Sequence, residues 1–433
     1  MQTKGHLLRV LGVVFGLAAV VGSVVGQGIL RTPGVVAQAS GSATVLLGLW
    51  ALGAVLSLLL ALPYVELGSA IPRADGPQGY VGLAFGRAPE VVIAFMSLLM
   101  QVSSMAMICY VIGEFLVRLG IGDGLSPGVM GTAMLLLFFV LNAMGTRSAG
   151  AIQVTLAALK GAVLLGLVVV LFAQPGAAPP AGDPGPALAG WQQVATAILL
   201  IISTYNGWGD VVFYGEEIDN PGRAIPRAIF GGILGVSVLY LLVNAAMFHV
   251  IAPTTLAGSD FAAADAAKGV FGGNAGKVFT AFGILSLGAI ANLNLMTVTR
   301  IAFASARSGI LPRKLEAVSA LGTPMWALVA VTLVSAAFIL SGTYLTLAAT
   351  STALAQGLFL AVTAAAIGLR RSQPNLQRPF AIPAFAVSMA LVVAINLGLM
   401  VVFVAQDPFN ALLGFVLVGA LSASYFLLAP RSS

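Results

Sequence analysis

The chain is a succession of apolar stretches, each roughly twenty residues long or more, separated by short polar turns. A helix needs ~20 mainly apolar residues to cross the hydrocarbon core of a bilayer. In that medium only helices and closed barrels satisfy their own backbone hydrogen bonds. Charge completes the argument. Charged residues make up 8% of the chain and apolar ones 59%, and mean hydropathy is +1.03. A soluble domain carries roughly 25% charged residues, so a large soluble helical protein is excluded. Barrel strands are shorter and alternate polar with apolar residues, and these stretches do neither. The chain reads as an all-α integral membrane protein embedded in the lipid bilayer.

Twelve spans are expected, at 7–38, 42–71, 88–119, 127–145, 150–174, 189–218, 226–251, 274–305, 323–341, 344–367, 380–404 and 408–428. With the N-terminus in the cytoplasm, most of the 20 Lys and Arg residues fall on the cytoplasmic side, among them Lys4, Arg73, Arg223, Arg307, Arg370 and Arg378. That is the positive-inside bias of a multi-pass protein of the cell membrane with both termini cytoplasmic. The net charge of +6 is then a topology signal rather than a nucleic-acid footprint. The first apolar run continues into a full span, so no cleavable signal peptide is expected.

Two spans are interrupted near their middles. The first carries Gly22-Ser23-Val24-Val25-Gly26-Gln27-Gly28, followed by Pro33-Gly34; the sixth carries Ser203-Thr204-Tyr205-Asn206-Gly207-Trp208-Gly209-Asp210. Each glycine costs ~1 kcal/mol of helix propensity relative to alanine. Glycine also serves close packing in membrane helices, so the spacing decides: the breaks lie five helices apart. Interrupted segments at corresponding positions of two halves point to a transporter-type binding site. Five being odd, the halves would have opposite topology. The chain is expected to form one transmembrane unit over 1–433, with repeat one at about 7–174, repeat two at about 189–367, and spans eleven and twelve (380–428) outside the repeat. Residues 174–190, rich in Pro, Gly and Ala, read as an external linker. Ser259-Asp260 ahead of an alanine-rich stretch reads as the cap of a short external helix, either a loop filler or part of an outer gate.

At this point the motifs are recognisable. The first break and the Thr32-Pro33 after it, Tyr64-Val65-Glu66-Leu67-Gly68 with Ile71-Pro72-Arg73-Ala74, Glu216-Glu217-Ile218-Asp219-Asn220-Pro221 with Ile225-Pro226-Arg227, and Ala306-Arg307-Ser308-Gly309 with Leu311-Pro312 follow one another in register. The chain resembles the amino acid–polyamine–organocation (APC) superfamily, and within it the L-type amino-acid transporters (LAT) and their bacterial relatives. The resemblance implies the LeuT-type five-plus-five inverted repeat with helices one and six broken. It also implies an antiporter or permease function, with a small amino acid or amine as substrate and no cofactor.

Helix-end chemistry suggests how such a site would work. Backbone amides at a half-helix N-terminus hold an anion, and carbonyls at a half-helix C-terminus favour a cation. The amides of Gly26, Gln27 and Gly28 are therefore candidates for a substrate carboxylate. The carbonyls of Val24, Ser203, Thr204 and Asn206 are candidates for an α-ammonium group. Large-substrate members of the family carry a gating Phe where Ser203 stands. Its absence here points to a smaller or more polar substrate, or to Tyr205 or Trp208 as the lid. Lys160 lies mid-span, where a lysine costs ~2.5–3.5 kcal/mol on insertion scales. It either snorkels to the interface or sits among the carbonyls freed near Gly22, beside the Ser286 hydroxyl. The resemblance implies that it replaces the sodium ion of sodium-coupled relatives. Asp210 either caps the second half of helix six or binds a cationic substrate group.

Other features bound the reading. Glu66, Glu216 and Glu217, near Arg73, Arg223 and Arg227, are either inner-gate ion pairs or solvated interface charges. His6 and His249 are isolated, so no metal site is expected, and nothing resembles a P-loop. Cys109, the only cysteine, lies within a span rather than in the external loop that follows, where animal members of the family it resembles carry the cysteine that tethers an ancillary subunit. The resemblance therefore implies no disulfide-linked subunit here. The expected function is sodium-independent exchange or proton-coupled uptake of neutral, small amino acids. The alternatives are a polyamine or basic amino-acid carrier and a nutrient receptor that binds without transporting. No nucleophile, base and orienting group converge, so an enzyme is not expected.

Overall fold

The computed structural model describes residues 7–26, 28–176, 190–259, 261–341 and 344–428. Gln27, Asp260 and most of the linker expected at 174–190 lie outside them. The described residues are helical almost throughout. In chain order they form α1 (Val13–Val24), α2 (Gly28–Val36), α3 (Ala43–Ala70), α4 (Pro77–Phe85), α5 (Arg87–Arg118), α6 (Pro127–Ala143), α7 (Thr146–Phe172), α8 (Trp191–Thr204) and α9 (Pro221–Val250). Three short helices follow, α10 (Pro253–Leu256), α11 (Ala262–Ala266) and α12 (Lys268–Phe271). The chain then continues through α13 (Ala275–Arg307), α14 (Met325–Ser341), α15 (Tyr344–Ser372), α16 (Phe385–Gln406) and α17 (Pro408–Leu428).

Local chemistry sets the ends of these helices. Pro77, Pro127 and Pro221 open helices at the first position, where a missing N–H costs nothing. The Ser126 hydroxyl accepts from Val129 N–H at the start of α6. α3 stops at Ala70, just ahead of Ile71-Pro72, because the residue before a proline is driven out of the helical region. α5 ends where Gly120 takes φ +76°, and Ile121 N–H reaches back to Leu116 O.

Nine helices among the described residues are long and apolar enough to cross a bilayer. Ten are, if α1 and the stretch 28–39, bent by 47°, count as one span. The other two stretches expected to span, 127–145 and 323–341, hold shorter apolar helices of 17 residues, α6 and α14. Two features were not expected. α4 is an extra helix between the second and third spans, and the chain after Gly207 is a 3-10 segment, Trp208–Tyr214, rather than an α-helix. The short helix expected after Ser259-Asp260 is present as α11 and α12, with α10 ahead of it and Ser259 Oγ accepting from Phe261 N–H.

The two ends of the bundle differ. At one end gather Arg73, Arg300, Arg307, Arg370 and Arg378, each paired with a carboxylate. This arginine-rich end is packed shut: from Ala291 to Ala306 every residue of α13 is buried. A helix apolar or satisfied on all faces is one enclosed on all sides.

Candidate functional site

The two breaks meet each other. α1 ends at Val24, and Val25 turns to extended geometry (φ −72°, ψ 94°). α8 ends at Thr204, and Gly207 takes φ +121°, a region closed to side chains with a Cβ. A Cβ on Gly207 would lie 2.8 Å from Ser23 Cβ and 3.0 Å from the Ser23 carbonyl carbon. Glycine is thus required both by the backbone and by the contact. Gly28, the first residue of α2, is pressed against the Thr204 side chain in the same way, and Thr32 and Thr204 hydroxyls bond at 3.1 Å.

The carbonyls released by the first break have found partners. Lys160 is fully buried on α7; its Nζ donates to Gly22 O at 2.7 Å and Val25 O at 2.5 Å. Ser286 Oγ on α13 donates to the same Val25 O at 3.0 Å. Two turns before Lys160, Gln153 packs where a Cβ on Gly22 would stand and accepts from Asn292 at 3.1 Å. One lysine therefore ties α7, the α1 break and, through Val25 O, α13. Tyr240 of α9, which no sequence signal marked, bridges both breaks: its hydroxyl donates to Val24 O at 2.8 Å and lies 3.3 Å from Thr204 O.

Beside the breaks lies a cavity of about 380 Å³, within the usual range for small-molecule sites. Its walls come from α3, α5, the region from Ile202 to Phe213, and α13, α15 and α16. Three rings form part of one wall: Tyr64 and Trp208 at 5.3 Å, with Phe359 at 5.4 Å from each. The Asp210 carboxylate lines the cavity and accepts from Gln101 Nε2 at 3.1 Å.

The expected site residues divide accordingly. Ser203, Asn206, Trp208 and Asp210 border the cavity, together with Ser23. Val24, Gly26, Gly28 and Thr204 stand behind them in the packing of the breaks, although Gly26 is backed by Ile290, a cavity residue. Lys160 and Ser286 also lie behind. Of the two aromatic residues nominated for a lid, only Trp208 reaches the cavity. Tyr205 is fully buried, edge-on to Trp50 and tilted against Tyr240, because its position on the last turn of α8 faces the core. The cap role considered for Asp210 is not what the geometry gives. It sits within the 3-10 segment, two residues past Trp208, and its side chain goes to Gln101.

The carboxylates at the arginine-rich end pair otherwise than their sequence neighbours suggested. Glu217 and Arg300 form a bidentate pair, Nε–Oε2 2.8 Å and Nη2–Oε1 3.0 Å, with side chains 0% and 3% exposed. Glu216 pairs with Arg307 and accepts from Ala74 N–H at 3.0 Å. Glu66 holds Arg370, Arg378 and the Ile382 N–H together. Leu11 forms an isolated parallel bridge with Ile218, through Leu11 N–H to Glu217 O and Asp219 N–H to Leu11 O, each 2.9 Å. Gln78 of α4 links to Ser305 and Ser308, each at 2.9 Å. Asp75 is buried beside Arg73 (2.7 Å). Burial raises its carboxyl from an ordinary value of 3.8 to about 6 against the opposing pull of Arg73 and Arg307.

Comparison with known proteins gives the same picture. A family described as amino acid permease matches residues 11–421. The serine/threonine exchanger SteT of Bacillus subtilis is 28% identical over 322 residues, 72% of this chain and 72% of that one. The human cystine/glutamate transporter is 28% identical over 98% of this chain and 86% of its own length. The mouse b(0,+)-type amino acid transporter 1 is 28% identical over 93% and 84%. A family match along nearly the whole chain, a multi-pass helical architecture and a cavity beside two helix breaks lead to one conclusion: the chain belongs to the amino acid permease family of the APC superfamily, related to the L-type transporters, and is a membrane transporter of amino acids rather than an enzyme.

Proposed function

We propose that this transporter moves small neutral amino acids across the cell membrane by alternating access, sodium-independently, as an exchanger or with proton-coupled uptake. The observation that carries the sodium independence is the position of Lys160. An ammonium on Gly22 O and Val25 O occupies the carbonyl cluster that a coupling cation would need. The proposal includes twelve crossings in one transmembrane unit, a five-plus-five inverted repeat, both termini in the cytoplasm, and the arginine-rich end facing the cytoplasm. In that frame the protein is closed inward, and the cavity is reached from outside.

Substrate contacts are assigned to backbone groups at the breaks. The Gly26, Gln27 and Gly28 amides are assigned to the carboxylate and the Val24, Ser203, Thr204 and Asn206 carbonyls to the ammonium. Ser203 and Asn206 border the cavity, while the Val24 and Thr204 carbonyls lie behind it against the Tyr240 hydroxyl and reach substrate only when the breaks rearrange. Trp208 serves as the lid. No disulfide-linked subunit is proposed, since Cys109 is buried in α5. A second reading rests on Asp210, whose carboxylate in the cavity wall suits a basic amino acid or polyamine.

The test is counterflow of radiolabelled amino acids into liposomes holding the purified protein, in sodium and in choline. Continued uptake of neutral amino acids in choline is the expected result. Collapse of uptake in choline rejects sodium independence. Uptake confined to lysine or diamines promotes the Asp210 reading, and binding without flux leaves a receptor.

A further inference from the structure

Polar side chains in a membrane bundle are costly to leave unpaired, so the cavity's uncharged amides call for an explanation. Three of them, Asn294 on α13, Gln356 on α15 and Asn396 on α16, border the cavity. Each is more than nine-tenths buried. Each has a side-chain carbonyl oxygen with no hydrogen-bond donor among the described residues. Asn294 is held in place by its amide nitrogen, which donates to Ser104 Oγ at 3.1 Å. No hydrogen bond among the described residues accounts for the other two oxygens.

A carboxamide donates through nitrogen and accepts through oxygen. The oxygens left over here call for a donor, which a hydroxyl, a carboxamide or an ammonium supplies and a methyl group or a carboxylate does not. Of the three, the hydroxyl and the carboxamide do so without carrying a charge into a wall of uncharged amides. The cavity's own carboxylate, Asp210, accepts from Gln101 through one of its oxygens.

We propose that Asn294, Gln356 and Asn396 form a side-chain subsite that selects amino acids ending in a hydroxyl or carboxamide over aliphatic ones of the same shape. The inference rests on the reading of this cavity as the amino-acid site, and it names the substrate class within it.

Isosteric pairs give the test. In the liposome counterflow assay, threonine is set against valine and asparagine against leucine as competitors. A site built to pair a polar group rejects the analogue that lacks it, so the wild-type protein should favour threonine over valine, and asparagine over leucine, by about tenfold or more. Gln356→Met and Asn396→Leu should each bring those ratios most of the way toward one. Thermal unfolding checks that the variants are intact. Removing an unpaired buried polar group without adding charge should keep or raise the melting temperature. The wild-type comparison decides even if a variant fails to fold. Valine and leucine competing as well as their polar partners would overturn the subsite while leaving amino-acid transport standing. Ratios that survive in both variants, or lysine outcompeting all four, would overturn it as well. Absence of counterflow with any amino acid would overturn both readings together.

Discussion

The Glu217–Arg300 pair offers the sharpest test of whether the arginine-rich end is a gate. Both side chains are buried, and the guanidinium also donates to Met296 O and Thr146 Oγ1, each at 3.1 Å, while lying 5.3 Å from the Tyr214 ring centroid. Arg300→Met removes one partner and leaves a carboxylate enclosed without a counter-charge. Breaking a buried pair in this way costs ~3–5 kcal/mol. If the pair exists only while this end is closed, the cost falls on the closed state alone. A conformational equilibrium then shifts by the same amount, roughly 10²- to 5 × 10³-fold toward the state open at that end. The reporter is Ser305→Cys in a Cys109→Ala background. Ser305 is fully buried and bonded to Gln78, so its thiol should be protected while the end is shut. Arg300→Met should speed its modification by about a hundredfold or more, up to the limit set by how far the closed state dominated at the start. Pairing Arg300→Met with Glu217→Leu should restore most of the protection, because no unpaired charge remains. A lowered melting temperature with unchanged thiol reactivity would refute the gate and leave the pair as a static brace.

Two further outcomes follow from local geometry. Asp75 binds its proton more tightly folded than unfolded, so between about pH 4 and pH 6 the native state holds the extra proton and stability falls as pH rises, by on the order of 3 kcal/mol in total. The pull of Arg73 and Arg307 is already contained in that value, so Asp75→Asn should flatten the slope of melting temperature over that window; an unchanged slope would assign it elsewhere. Gly207→Ala should cost ~1–3 kcal/mol in backbone strain alone, with more from the Ser23 contact, whose backbone atoms cannot give way. It should push the two breaks apart, seen as a lower melting temperature together with loss of substrate-induced stabilisation. A variant that melts and responds as wild type would mean that the breaks need not touch.

What could be read from the sequence was whatever stood out against an apolar background. A lysine in mid-span, glycine clusters in two long hydrophobic runs and a biased set of arginines each carry a cost that sequence alone can register. Lys160, the breaks at 22–28 and 203–210 and the membrane architecture were legible on those grounds. Partnership was not, because it depends on which helices pack together. Glu66 is followed a few residues later by Arg73, yet its ligands are Arg370 and Arg378, some three hundred residues away. Glu216 and Glu217 reach Arg307 and Arg300 rather than the nearby Arg223 and Arg227.

Helix type was equally hidden. The segment Trp208–Tyr214 has nothing in its composition that forbids an α-helix, and its 3-10 geometry follows the turn at Gly207 against Ser23. α4 did leave a trace, a glycine followed by proline at the first helical position. Four amides that border the cavity, Gln101, Asn294, Gln356 and Asn396, are uncharged and so escape a search for charge. Yet each is an amide set in an apolar run, where the nearest alternative partner is lipid. In a membrane protein that is a sufficient reason to look: an amide there is held by the bundle, as Asn294 is by Ser104, or else awaits something that enters it.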